Sequence, residues 1–220
     1  MSDPAEEAAS QLRAIRSLME RATIYRAISG PAAAFAGILS LAVCAWLWTR
    51  REPRDNPDPV VFLCIWLGVL LIVSVVNTIL LYRSARKRGE VFVSAGMKHA
   101  LRAVSPPLAA GFVMSLLEVS AEGYARVDCY SNVAAYWILF YGLALLAAGS
   151  FAPRSMQALG GGFFGFGILT FLPSVRDFSG PKYFVAVIHM AFSFGVLHLV
   201  YAAAVWIQGR REKNSAPPGA

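Results

Sequence analysis

The chain has 220 residues, of which 57% are hydrophobic and 15% charged, with a net charge of +7 and a mean hydropathy of +0.54. Soluble domains hold about 45–50% apolar and about 25% charged residues, so most soluble classes are excluded. The apolar residues come in blocks of about 20, the length that crosses about 30 Å of hydrocarbon. The expected fold is an all-α integral membrane protein: six transmembrane helices, with one or two amphipathic interfacial helices on the cytoplasmic side.

Residues 1–26 read as a cytoplasmic amphipathic segment, because Leu12, Ile15, Met19 and Ala22 recur at helical spacing beside Arg13, Arg16 and Arg21. The transmembrane domain follows over 27–207. Its first span is expected at 27–48. The long polar segment before it, with no small-x-small cleavage site, argues against a secretory signal. Leu41-Ala42-Val43-Cys44 has the outline of a lipoprotein cleavage box, but Val before the Cys fits poorly and the apolar run continues through Trp48.

The second span is expected at 60–82, continuing as helix to Arg88, where Gly89 is the residue type favoured just after a helix end. Residues 95–104 read as a second, basic interfacial helix. Ser105-Pro106-Pro107 is a helix start signal, since a serine caps and a proline is tolerated in a first turn. The third span is accordingly placed at about 104–120, and the fourth, fifth and sixth at 133–151, 156–172 and 183–207. The polar tail 208–220 is expected to be disordered. Tyr25, Trp46, Trp48, Tyr82, Tyr136, Trp137, Tyr183 and Trp206 fall near these boundaries, as aromatic belts do.

Loops on the side of the termini carry 14 basic and 6 acidic residues, and the opposite side 6 and 7, giving net charges of +8 and −1. Positive-inside bias then places both termini in the cytoplasm of a bacterial-type inner membrane, with the basic face toward anionic lipid. No folded basic motif for nucleic acid is present. Cys44 and Cys64, within apolar runs, read as small buried hydrophobes. Cys129, in a polar loop, reads as a free thiol or an intermolecular link.

Ionisable groups inside a membrane are costly, which makes them leads to function. His189 and His198 are nine residues apart, which at 100° per residue puts them on opposite faces of an α-helix. One metal or haem held by both is thereby excluded, and His198 shares its face with Gly195 and Ala202. Glu118 is at a depth where it would pair with His189 if their helices were neighbours. Asn77, with Ser74 and Thr78, reads as a helix–helix hydrogen-bonding group. Gly161-x-x-x-Gly165 and Ala158-x-x-x-Gly162 read as helix-packing motifs, as does Gly195. They lack the Lys-Ser/Thr of a phosphate loop. Phe35 to Leu39 loosely matches Phe140 to Ala144, which would suit inverted halves.

No metal, cofactor or catalytic motif is expected. The functional expectation is a non-enzymatic accessory or regulatory membrane component, acting with a membrane-protein partner or a second copy. A small, proton-coupled transporter or channel is the first alternative. A haem- or quinone-binding redox subunit using His198 is the second.

Overall fold

The computed structural model describes residues 11–12, 30–49, 58–89, 95–120, 128–151, 153–176 and 181–215. The described elements are all helical: α1 Gly30–Trp48, α2 Pro59–Arg88, α3 Ala95–Ser120, α4 Cys129–Ala147, α5 Arg154–Leu169, a single turn α6 Pro173–Arg176, α7 Lys182–Met190 and α8 His198–Ser215. A 3-10 turn over Ala148–Phe151 follows α4, and a π-helical segment, Ala191–Leu197, joins α7 to α8 without a break. The stretches Gly30–Trp48, Pro59–Lys87, Met97–Ser120, Cys129–Ala147 and Lys182–Arg211 are five helices long and apolar enough to cross a membrane. This is the architecture of an α-helical membrane protein.

Local chemistry sets the ends of α2. The Asp58 side chain accepts from the Val60 N–H at 2.9 Å, and Pro59 occupies the first turn, where its missing N–H costs nothing. At the other end Gly89 adopts φ 67, and its N–H reaches the Ala85 and Arg86 carbonyls.

α3 departs from expectation. It runs unbroken from Ala95 through Pro106 and Pro107 to Ser120, so Ser105 does not start a helix and 95–104 is not a separate interfacial helix. Pro106 cannot donate to the Arg102 carbonyl four residues back. The Ser105 hydroxyl donates to that carbonyl instead, at 3.3 Å, and the helix continues.

α4 begins at Cys129 rather than 133, and helix extends through the tail as far as Ser215. The N-terminal interfacial stripe lies outside the described residues except for Gln11 and Leu12, which are helical.

α4 is the central helix, packed against α3, α5 and α7, while α1 lies along α7, the π segment and α8. The main core joins Leu47, Phe62, Trp66, Cys129, Trp137, Ile138, Phe163, Tyr183 and Met190. A smaller cluster of Ala33, Ala148, Met156, Tyr201 and Ala202 closes the other end of the bundle.

Tyr183 is buried, donating to the Leu47 carbonyl at 3.1 Å, and Trp137 is also buried, so neither belongs to an aromatic belt. Trp46, Trp48, Tyr82 and Trp206 are exposed as such a belt requires. Cys129 is fully buried, donating its thiol to the Glu118 carbonyl at 3.7 Å, which closes it to an intermolecular disulfide. Cys44 is buried as expected, but Cys64 is exposed.

Glycines mark where helices touch. A Cβ on Gly142 of α4 would collide with the Phe164 backbone, one on Gly167 of α5 would come within 2.7 Å of Leu139, and one on Gly160 within 2.9 Å of Leu145. The α4–α5 seam is therefore built on Gly160, Phe163 and Gly167. Gly161 and Gly165 face open space, which corrects the expected packing motif. Gly195 is a close-approach site, 2.5 Å from Leu41 for an added Cβ, and Gly37 faces it across the same crossing.

Candidate functional site

The π segment changes the geometry expected of the two histidines. Hydrogen bonding from i to i+5 takes more residues per turn than an α-helix, so nine residues no longer amount to a half-turn. Both imidazoles instead meet α5 residues three apart: His189 packs edge-on to Phe166 at 5.6 Å, and His198 edge-on to Phe163 at 5.3 Å. The opposite-face reading is thus overturned. The Ser193 hydroxyl supports the segment from within by donating to the His189 carbonyl at 2.7 Å.

The polar candidates do not converge. Glu118 accepts from the Asn132 amide at 2.7 Å and the Tyr136 hydroxyl at 3.3 Å, both on α4, and pairs with neither histidine. His189 lines a surface groove of about 290 Å³ with Phe166, Val175 and Phe192. Its Nδ1 is buried with no hydrogen-bond partner. Asn77 is half-buried on the inner part of α2, where the Thr78 hydroxyl donates back to the Ser74 carbonyl at 2.8 Å.

Near Glu118, at the same end of the bundle, Asp128 accepts from Arg176 at 2.6 Å and lies 3.5 Å from Lys182. Ser131 donates to the Lys182 carbonyl at 3.1 Å. These contacts tie α4, α6 and α7 together in a polar clasp.

His198 sits in a different setting. Its Nε2 shares a 3.0 Å hydrogen bond with the Tyr141 hydroxyl, and its ring stacks on Phe194 at 6.0 Å. Together with Ser40, Trp66 and Trp137, these residues line an internal chamber of about 60 Å³, completed by Ala36, Val69, Leu70, Val73 and Met190. The chamber lies among α1, α2, α4 and the last helical run.

Trp66 and Trp137 are each more than nine-tenths buried, and both indole N–H groups are buried without a hydrogen-bond partner. A buried donor left unmet costs about 1–3 kcal/mol, so two beside one chamber form its most prominent polar feature. Neither tryptophan stands out in the sequence as a site residue. The available signal was a tryptophan at the middle of each of two spans, away from the interfaces where the residue collects.

A porphyrin does not fit this chamber: about 60 Å³ is far below its size, and His198 Nε2 is engaged by Tyr141. Among the described residues, no group of three His, Cys, Asp or Glu side chains is placed to hold a metal ion. Comparison with protein-family models, with curated proteins and with solved structures gives no match to this chain.

Proposed function

We propose that the chain is a six-span inner-membrane protein with cytoplasmic termini, acting as a non-enzymatic accessory or regulatory component of the membrane. α5 is the sixth span. Its 16 residues reach about 24 Å at 1.5 Å per residue, and the turns through α6 extend it toward the membrane surface. The orientation rests on charge. Arg83, Arg86, Lys87, Lys98, Arg102, Arg154 and Arg210 belong to the end of the bundle closed by Ala33 and Met156, while Arg176 and Lys182 at the other end sit on Asp128.

The observation that carries the accessory reading is the separation of the interior polar groups. Proton-coupled transport and acid–base catalysis both require at least two such groups in one place. Here Glu118, His189, His198 and Asn77 occupy four separate settings.

Mild-detergent purification of the tagged full chain, followed by cross-linking and mass spectrometry, tests the reading. A stoichiometric integral-membrane partner, or a second copy of the chain, is expected. An isolated monomer that moves protons or solute in proteoliposomes would overturn it.

A further inference from the structure

α2 meets the bundle over only part of its length. Phe62, Leu63, Trp66 and Val69 are buried, but from Leu70 to Ser84 no residue is. Helix α2 therefore forks away from the bundle, and the chamber lies at the apex of the fork.

The face of α2 that lines the chamber continues down the fork. Trp66, Leu70, Val73, Asn77, Leu80 and Ser84 recur at three- and four-residue steps, and beyond Trp66 they are half-buried, whereas Leu71, Val75, Thr78 and Tyr82 on the opposite face are exposed. This cleft runs through the apolar length of a membrane-crossing helix, so hydrocarbon is what reaches it.

At the apex, the wall offers two unmet indole N–H groups. An indole nitrogen only donates, so the group that satisfies it is an acceptor. An all-carbon occupant would leave both donors unmet. Water would meet them, but Val69, Leu70, Val73, Met190 and Phe194 make most of the wall apolar.

We infer that the chamber and the cleft below it form a binding site for a lipid-soluble carbonyl compound. Its acceptor oxygens are held at the apex by Trp66 and Trp137, and its apolar tail runs along α2 toward Asn77. Asn77 lies eleven residues, about 16 Å at 1.5 Å per residue, beyond Trp66 on the same face. The site lies inside one copy of the chain and goes beyond the accessory reading, which stands or fails on partner capture.

The test is an indole ¹H–¹⁵N titration of the full chain in lipid nanodiscs. The probe is a decyl-substituted benzoquinone, and decylbenzene is the oxygen-free control. Of the five tryptophan resonances, the two assigned with W66F and W137F are expected to shift saturably with the quinone and not with decylbenzene. Each of these variants, which keeps a ring and removes one donor, is expected to weaken binding about 2- to 10-fold.

Equal shifts with decylbenzene would overturn the proposal, as would a response confined to Trp46, Trp48 and Trp206. So would the absence of a saturable shift with indole-to-water cross-peaks at both sites, which would make water the occupant. The wild-type titration reads the outcome even where a variant does not fold.

Discussion

α2 and α4 show opposite relations between apolarity and burial. α2 is the more apolar, with a mean hydropathy of 2.8 over its best window, yet 17% of that window is buried; for α4 the figures are 1.4 and 56%. In water the order would be reversed, because apolar surface drives burial there. In lipid the surrounding chains are as apolar as leucine, and helices associate through close packing instead. α4 achieves this with Ala134, Ala135, Gly142 and Ala144 on its contact faces, while α2 turns Leu71, Ile72, Val75 and Ile79 outward. Apolarity in this protein thus reports contact with lipid, and small residues report contact with protein.

The strongest attack on that contrast is Phe163→Ala at the α4–α5 seam. Phe163 is fully buried and touches Tyr141, Phe194 and His198, and truncation is expected to cost about 3 kcal/mol, the low end for such a change because lipid competes for the apolar surface. Thermal unfolding followed by size-exclusion chromatography would show it. Leu71→Ala on α2, 65% exposed, should leave the same curve unmoved; equal losses at the two positions would end the distinction.

Overpacking gives the next effect. Gly142→Ala places a Cβ against the Phe164 backbone and is expected to destabilise by about 1–3 kcal/mol, while Gly68→Ala on α2 meets open space and should be neutral. The comparison is sharpened by measuring both in one lipid composition.

Removing the Tyr141 hydroxyl with Tyr141→Phe deletes the hydrogen bond to His198 and should cost about 1 kcal/mol. A larger change in the His198 imidazole NMR signals than in unfolding temperature is expected, since the ring keeps its aromatic contacts. The smallest effect is Asp128→Asn at the polar clasp. Its ion-pair partners are about one-quarter to one-third exposed, and a loss of about 0.5 kcal/mol, shrinking in high salt, should appear in salt-dependent melting.

Much of this frame was legible in the sequence, because the requirement to hide backbone polar groups in lipid leaves long apolar helices as the solution. The Gly89 cap of α2 and the close approach at Gly195 were readable for similar local reasons. What escaped depended on neighbours. Gly161 and Gly165 have the familiar four-residue spacing, but α4 lies against Gly160 and Gly167, seven apart on the adjoining face. The prolines of α3 carried a start signal that the Ser105 hydroxyl cancels. Glu118 was placed at the right depth, yet its partners proved to be Asn132 and Tyr136 because α3 packs on α4. The chamber was invisible because Trp66 and Trp137 are 71 positions apart and nothing local links them.

The π segment also makes the last helix intolerant of changes in length. It amounts to an absorbed insertion, a stretch in which surplus chain is stored without bending the rod. Deleting a single residue between Ala191 and Leu197 would let the stretch relax to ordinary α geometry and turn everything beyond it by about 100° relative to α7. His198, Tyr201 and Ala202 would then leave the bundle together, with the hydropathy profile of the span scarcely altered.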